Sequence, residues 1–175
     1  SGKTTVSQQL LESLGALRVR SDVERKRLAG IAATDHGHTR IDAGLYDAAT
    51  TRRTYEQLMA IATVTVDAGF PAIGDATFLR HADRQTFREL AERLGAQLAI
   101  IFCEAPRETL RERVAARGAR GTDASDATLE VLTHQLSVFE PPTDDEKTIV
   151  QLIDTDTDPQ MLQARCEAIA AILAQ

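Results

Sequence analysis

The chain has few of the residues that stabilise small secreted domains or build metal centres: it contains two cysteines in 175 residues and no tryptophan. Cys103 and Cys166 lie far apart in apolar surroundings and belong to no C-x-x-C pair or Cys/His ligand set. Disulfide-rich domains and zinc modules carry more cysteines at short spacings. The sequence therefore predicts no disulfide framework, and two buried thiols in a reducing cytoplasm.

Long apolar runs and an excess of positive charge are also lacking. No stretch approaches the roughly 18 apolar residues of a membrane-spanning helix, and no signal peptide is recognisable. The formal net charge is −6, which opposes general attraction to a nucleic-acid backbone. These properties predict a cytoplasmic protein without a membrane partner and argue against nucleic acid as a partner.

What the chain does have is a regular alternation of strand and helix patterns. The hydrophobic fraction is 43% and the charged fraction 26%, which is ordinary for a single folded domain, here residues 1–175. Strands are predicted at 17–20, 71–77, 97–103 and 149–153, and helices at 4–14, 23–28, 47–68, 82–94, 106–117, 126–137 and 159–173. Loops are predicted at 30–44 and 118–125. The alternation predicts an α/β fold with a parallel sheet covered by helices on both faces. The almost continuously apolar segment 98–103 predicts a strand buried on both faces.

The strongest functional clue is the segment Ser1-Gly2-Lys3-Thr4-Thr5, which precedes an amphipathic helix. Gly-Lys-Thr at a helix start matches the second half of the phosphate-loop pattern G-x-x-x-x-G-K-S/T. In this interpretation Gly2 permits close approach of the backbone to phosphate, and the N–H groups of the helix start bind the anion. Lys3 would reach the β- and γ-phosphates, Thr5 would lie along the α-phosphate, and the Thr4 hydroxyl would hold Mg²⁺. The segment predicts ATP and Mg²⁺ as cofactors, although a polar helix start without a ligand is the alternative for this tripeptide alone.

Polar residues also follow two of the predicted strands, at the sheet edge where open α/β sheets bind ligands. Asp22 is the candidate to orient or deprotonate an acceptor hydroxyl, with an N-cap of the next helix as the alternative. Asp75 is a candidate to bind in the Mg²⁺ shell or to contact the acceptor. The alternative is that it is a turn carboxylate that caps the next helix. The predicted acceptor site consists of Ser21, Asp22, Arg25, Asp75, Thr77 and Arg80.

An arginine-rich helix precedes a glycine-containing break at 118–121. Arg107 and Arg111 are interpreted as partners of glutamates on the same helix. Arg113, Arg117 and Arg120 are predicted to belong to a lid whose guanidinium groups close over the transferring phosphoryl group. Two histidines at 36 and 38 could suggest a metal site, but no further ligands lie nearby, so a solvated loop is the interpretation.

Together these stretches resemble a known family. The chain is similar to P-loop small kinases of the AAA_33 or zeta-toxin-like group, which are related to polynucleotide, gluconate and chloramphenicol kinases. The resemblance covers nearly the whole chain, in SGKTT, LRVRSDVERKRLAG, GLYDAATTRRTY, AIGDATFLRHADR and FCEAPRETLRERVAARGARGTDAS. It implies a three-layer P-loop NTPase fold of the nucleoside- or adenylate-kinase type. It also implies ATP at Lys3 and Thr4, an acceptor carboxylate at Asp22, and lid arginines at Arg113, Arg117 and Arg120.

The sequence departs from the family pattern at its beginning. Family members start with an apolar central strand that runs into the glycine-rich half of the phosphate loop, and the sequence contains neither. We therefore expect the chain to be the C-terminal part of a longer protein and to need that strand for full activity. The stretches RSDVERKRLAG and DATFLR look like the kinase half of bacterial proteins in which an aminoglycoside-phosphotransferase-like domain precedes this one.

Three functions remain open at this point. The leading hypothesis is ATP-dependent phosphoryl transfer to a hydroxyl of a small molecule. A second is a kinase that acts on the 5′-hydroxyl of a nucleoside or polynucleotide. A third is a non-catalytic ATP-sensing module that regulates an attached domain.

Overall fold

A computed structural model describes residues 1–32, 47–120 and 129–174, without the side chains of residues 117–120, 129 and 130. Its helices are α1 (Lys3–Leu14), α2 (Ser21–Leu28), α3 (Ala48–Asp67), α4 (His81–Leu94), α5 (Arg107–Arg120), α6 (Leu129–Val138) and α7 (Pro159–Leu173), with a short 3₁₀ helix at Asp144–Glu146. Its strands are β1 (Leu17–Arg20), β2 (Ala72–Asp75), β3 (Ile100–Glu104) and β4 (Val150–Asp154). Each predicted strand and helix is confirmed to within a few residues. Most of the predicted loop at 30–44, with both of its histidines, lies outside the described residues.

The strands form two parallel pairs. β1 pairs with β2 from Leu17 opposite Ala72 to Arg20 opposite Asp75. β3 pairs with β4 from Ile100 opposite Val150 to Glu104 opposite Asp154. In the described part of the chain no ladder of hydrogen bonds joins β2 to β3. The predicted α/β class with parallel strands is confirmed.

The prediction that β3 is buried on both faces is wrong. Ile101, Phe102 and Cys103 are only half-buried, and every residue of β2 is half-buried as well. A central strand is shielded by neighbours on both sides, whereas β2 and β3 each have one hydrogen-bonded neighbour among the described residues. Of the two thiols expected to be buried, Cys166 is fully buried and Cys103 is half-buried.

One hydrophobic core joins the two strand pairs. Val6 and Leu10 of α1 pack with Cys166 and Ile169 of α7 around Ile153 of β4. Partly buried Ile73 of β2 and Ile101 of β3 pack against the same cluster. Full burial of one such aliphatic side chain contributes about 1.5–3 kcal/mol. Helices α1 and α7 therefore hold the strand pairs together in the described chain.

A second core lies under the turn that follows β2. Tyr55 of α3, Phe78 of this turn and Phe87 of α4 make edge-to-face contacts with ring centroids 4.9–6.3 Å apart. Phe78 has a φ of 43°, and no other described non-glycine residue has a positive φ. The Phe78 N–H donates to the Tyr55 hydroxyl over 3.1 Å. These contacts fix a backbone conformation that side-chain-bearing residues rarely adopt.

Helix α5 continues to Arg120, so the prediction of a loop from residue 118 is wrong for residues 118–120. Gly118 stands among alanines and arginines, which are good helix formers. One interior glycine costs a helix only about 1 kcal/mol relative to alanine, which its neighbours can offset.

A buried ion pair, here called the Arg84 clasp, ties α4 to the segment before β4. Arg84 Nε and Nη2 donate to the two carboxylate oxygens of Glu146 over 2.6 and 2.9 Å. Arg84 Nη1 donates to the carbonyl oxygens of Phe78 and Glu140 over 3.1 and 3.0 Å. Both side chains of the pair are almost fully buried, at 1% and 3% exposure. The clasp therefore also holds the turn that follows β2.

The Arg84 clasp predicts that part of the free energy of unfolding is lost at acidic pH. Hydrogen bonds from Arg84 lower the pKa of Glu146 from 4.5 to about 2. A depressed carboxyl pKa contributes stability above the unfolded-state value, and the contribution is lost as pH falls from about 4.5 to about 2. A pKa shift of this size contributes about 3 kcal/mol to the free energy of unfolding at neutral pH. We expect denaturant titrations between pH 6 and about pH 2 to show a steeper fall in unfolding free energy for the wild type than for Glu146→Gln; equal slopes would contradict the assignment.

Candidate functional site

The start of α1 has a backbone turn that only glycine fits. Gly2 is the N-cap of α1 with a φ of 72°, in the left-handed region. A Cβ built on Gly2 would lie 2.9 Å from Cβ of Thr155, closer than side-chain carbons approach. The Gly2 carbonyl accepts hydrogen bonds from the N–H groups of Thr5 and Val6, over 3.0 and 3.1 Å. The close approach that the structure shows at Gly2 is to the Thr155 side chain, whereas the close approach of Gly2 to phosphate stays a prediction.

The same helix start is suited to an anion. The first turn of α1 contains no acidic residue, so the positive end of the helix dipole is not compensated by a neighbouring carboxylate of that turn. Lys3 is half-buried and its Nζ donates to the Ser1 hydroxyl over 3.3 Å, while Thr4 and Thr5 are exposed. The amides, one ammonium group and three hydroxyls are the donors that bind phosphate oxygens.

Asp75, at the end of β2, lies against α1. Its Oδ2 accepts a hydrogen bond from the Ser7 hydroxyl over 3.0 Å and is 3.9 Å from Arg20 Nε. The Asp75 side chain is 7% exposed. The alternative that Asp75 caps the next helix is wrong, because the N-cap of α4 is Arg80. Asp75 instead contacts Ser7, which lies one helical turn after Thr4 on α1.

Ser7 was missed by the sequence analysis. Its hydroxyl also accepts from Arg18 Nη1 over 2.9 Å, so it links α1, β1 and β2. The available signal was its position three residues after Thr4, which places both hydroxyls on neighbouring positions of one helix face. In the described part of the chain no three histidine, cysteine or acidic side chains group closely enough to hold a metal ion by themselves. A cation here would depend on phosphate oxygens, as Mg²⁺ in phosphoryl-transfer sites does.

Asp22 lies inside a helix. Helix α2 begins at Ser21 and its N-cap is Arg20, so the alternative that Asp22 is the N-cap is wrong. Asp22 is half-buried in the first turn of α2, and Ser21 is buried. Because β1 ends at Arg20 opposite Asp75, the start of α2 lies at the same sheet edge as Asp75. The structure therefore brings the two predicted carboxylates to one edge.

The other predicted acceptor residues lie in two places. Arg25 is buried and its Nη1 donates to the Thr51 hydroxyl over 3.1 Å, so it joins α2 to α3. Thr77 hydrogen bonds with the Tyr55 hydroxyl, and exposed Arg80 is the N-cap of α4. Burial raises the pKa of Asp83 near this turn, and the charge of Arg80 opposes that rise. Thr77 and Arg80 therefore belong to the turn that the Arg84 clasp holds.

Arg113 is bound to the loop that follows β4. Its Nη1 donates to the Thr155 hydroxyl over 3.0 Å and its Nη2 to the Thr155 carbonyl over 2.8 Å. Its Nη2 is also 3.6 Å from Asp156 Oδ1. In this structure Arg113 therefore reaches the Gly2 turn through Thr155. The side chains of Arg117 and Arg120 lie outside the described residues.

Thr155 was also missed, although the signal was similar to the one used elsewhere. The polar residues 154–158 follow the fourth strand, as Asp22 follows the first and Asp75 ends the second. The carboxyl ends of parallel strands meet at one edge. Thr155 therefore lies at the same kind of strand end as Asp22 and Asp75.

The described helices include none that is both long enough and apolar enough to cross a membrane.

Comparison with curated sequences finds relatives in Mycobacterium bovis and Mycobacterium tuberculosis, both uncharacterized proteins, at 27% identity over 127 residues. The matched stretch covers 71% of this chain and 25% of each relative. The chain thus corresponds to about a quarter of the length of these relatives.

Two solved structures share the fold. A sugar kinase from Janibacter sp. HTCC2649 has a TM-score of 0.70 at 18% identity, over 99% of this chain and 89% of that one. A gluconokinase from Sinorhizobium meliloti 1021 has a TM-score of 0.68 at 18% identity, over 99% of this chain and 87% of that one. The family model AAA_33, described as an AAA domain, matches residues 1–142. With its parallel strands, the glycine turn before Lys3 and this match over most of its length, the chain belongs to the AAA_33 family.

Proposed function

We propose that this chain catalyses ATP-dependent phosphoryl transfer to a hydroxyl of a small molecule. The observation that carries the proposal is the start of α1, where a left-handed glycine, a lysine and two exposed threonines occur without an acidic residue in the first turn. The carboxylate of Asp75 lies beside this helix start through its hydrogen bond with Ser7. An anion site next to a carboxylate suits a nucleotide phosphate with its cation.

The residues divide into five roles. The phosphate groups of ATP would be held by Ser1, Gly2, Lys3, Thr4 and Thr5, and Mg²⁺ by Thr4 and Asp75. When bound, Mg²⁺ neutralises charge that develops on the phosphate oxygens. Asp22 would orient the acceptor hydroxyl and take its proton. The acceptor would contact Ser21, Arg25, Thr77 and Arg80, and Arg113, Arg117 and Arg120 would add positive charge near the transferred group.

Arg25 is buried and its Nη1 donates to the Thr51 hydroxyl, so it would contact the acceptor from the inner wall of the site. The turn with Thr77 and Arg80 follows β2 and offers a hydroxyl and a guanidinium group at the sheet edge where β2 ends. Two neighbours in fold are named as a gluconokinase and a sugar kinase. A polyhydroxylated acceptor is therefore the first class to test, and the net charge of −6 argues against a polynucleotide.

The domain context is part of the proposal. Strands β2 and β3 each carry half-buried residues and have one edge without a ladder in the described chain. An added parallel strand would pair with both edges, as strand edges favour pairing. We propose that upstream sequence supplies this strand and the first half of the phosphate loop, within a longer cytoplasmic protein that has an upstream domain.

Replacing Lys3 with alanine tests the proposed function. We expect it to weaken Mg·ATP binding about 10- to 100-fold, because a hydrogen bond to a charged group contributes about 1.5–3 kcal/mol. Binding is measured by calorimetry on this chain and on a form extended upstream. Lys147→Ala is the matched control, since Lys147 is exposed and pairs with Asp144 in the 3₁₀ helix.

Each result has a separate meaning. If only the extended form binds and Lys3→Ala removes that binding while Lys147→Ala does not, both the phosphate site and the need for the upstream strand are supported. If neither form binds Mg·ATP, the proposed function is wrong and the chain shares only the fold. An equal effect of both lysine substitutions would show that Lys3 acts through net charge alone.

A further inference from the structure

Thr155 connects three parts of the protein at the proposed ATP site. Its hydroxyl oxygen lies 3.2 Å from the Ser1 carbonyl, 2.8 Å from the Glu104 carbonyl and 3.0 Å from Arg113 Nη1. Its own N–H donates to the Glu104 carbonyl over 2.8 Å. The residue is 5% exposed. One side chain therefore contacts the turn before α1, the end of β3 and helix α5.

The two ends of the Thr155 side chain act on the same turn in different ways. A hydroxyl can accept from Arg113 while it donates to one of the two carbonyl groups. The methyl carbon lies 3.0 Å from the position that a Cβ on Gly2 would take. The methyl group therefore closes one side of Gly2, and the hydroxyl oxygen lies within hydrogen-bond distance of the carbonyl of the preceding residue. Both contacts restrict the orientation of the peptide between Ser1 and Gly2.

Helix α5 in turn fixes Thr155. Arg113 donates to both the hydroxyl and the carbonyl of Thr155. One helical turn earlier, the Thr109 hydroxyl donates to Asp156 Oδ2 over 3.2 Å. The Asp156 N–H donates to Asp154 Oδ1 over 2.8 Å. The loop after β4 is thus held from α5 at two successive residues, so its position is defined when it meets Gly2.

We infer that Thr155 is a positioning residue for the ATP phosphates, and that Arg113 acts on the phosphate turn through it. This rests on the proposed function, because it assigns a role within the same site. Phosphate binding by backbone N–H groups depends on their direction, and the peptide between Ser1 and Gly2 sets the direction of the Gly2 N–H. The hydroxyl of Thr155 holds that peptide in place, although Thr155 itself does not touch the phosphates.

Replacing Thr155 with valine tests this inference. Valine keeps the shape and the methyl contact with Gly2 but removes the hydroxyl, so the Ser1 carbonyl and Arg113 Nη1 lose this partner. Because these buried polar groups lose their partner, the turn is no longer fixed, and we expect Mg·ATP to bind about tenfold more weakly. Thr155→Ser keeps the hydroxyl and is expected to restore binding to near the wild-type value.

Thr157→Val is the matched control, because it makes the same chemical change in the same loop. The Thr157 hydroxyl lies 3.8 Å from the Met161 sulfur of α7, so its contact is with the helix that follows rather than with the Gly2 turn. Dissociation constants are measured by calorimetry on the same protein forms as for Lys3, and thermal denaturation checks that each variant folds. A purely structural role would lower the melting temperature of Thr155→Val and leave the dissociation constant unchanged.

The outcomes separate this inference from the proposed function. Weaker binding in Thr155→Val, recovery in Thr155→Ser and no effect in Thr157→Val support the positioning role. Wild-type binding that is unchanged in Thr155→Val overturns the positioning role and leaves the proposed function standing. A wild type that does not bind Mg·ATP in any form overturns both.

Discussion

Arg84→Met is expected to lower the free energy of unfolding by about 3–5 kcal/mol, because it leaves the buried carboxylate of Glu146 without its cation. The substitution also removes the donors to the carbonyl groups of Phe78 and Glu140. Methionine fills a similar volume, so the loss of the charge and its hydrogen bonds dominates over a cavity. The measurement is denaturant unfolding at pH 7, where Glu146 is ionised in the wild type.

Arg88→Met is the matched control for this prediction. Arg88 lies one helical turn after Arg84 on α4, and its pairs with Glu92 and Asp145 are partly exposed, at 33% exposure of the arginine. Exposed ion pairs contribute about 0.2–1 kcal/mol. Similar losses in the two variants would contradict the assignment. The double variant Arg84→Met/Glu146→Leu should recover part of the stability, since it removes the uncompensated charge.

Asp22→Asn is expected to lower turnover about 100- to 10,000-fold while Mg·ATP binding stays near the wild-type value. Asparagine keeps the size and half-buried position of Asp22 in the first turn of α2. It cannot accept a proton from the acceptor hydroxyl at neutral pH. Turnover is measured as ADP formation with whichever hydroxyl compound proves the best acceptor in a panel that begins with gluconate and simple sugars.

Asp67→Asn is the control for Asp22, because Asp67 is exposed at the end of α3. The result also decides between the catalytic and the sensing hypotheses. A sensing module would bind ATP and perform its role equally well after Asp22→Asn, and it would show no acceptor-dependent ADP formation. Unchanged turnover in Asp22→Asn would exclude Asp22 as the base and leave the kinase hypothesis to another carboxylate.

The order and type of the elements could be predicted because each has a strong local signal. Helix α7 begins and ends where its periodicity and Pro159 indicate. Strand β4 is a short apolar run between polar loops. The end of α5 was mispredicted because Gly118 was weighted as a helix stop, although a single glycine can remain helical among good helix formers.

The long-range contacts of the site could not be predicted in the same way. Ser7 and Asp75 are 68 positions apart, and Arg84 and Glu146 are 62 apart. Such pairs depend on strand order and on the packing of α1 and α4, which residue spacing does not encode. The motif places Gly2 at the start of α1, as the structure has it, whereas Thr155 as its close neighbour required the fold. Burial of β3 was overestimated because composition indicates apolarity but does not count the neighbouring strands.

The contact between the Gly2 turn and Thr155 has a consequence for biosynthesis. Ser1 and Thr155 are separated by 154 positions, and the apolar face of α1 packs against α7, which follows Thr155. At about 5–20 residues per second, roughly 10–30 s pass between synthesis of the first and the second partner. During that time Val6 and Leu10 have no α7 to cover them on the ribosome. The segment that we assign to ATP is therefore synthesised well before the residues that complete it, and its apolar face stays uncovered by α7 in that interval.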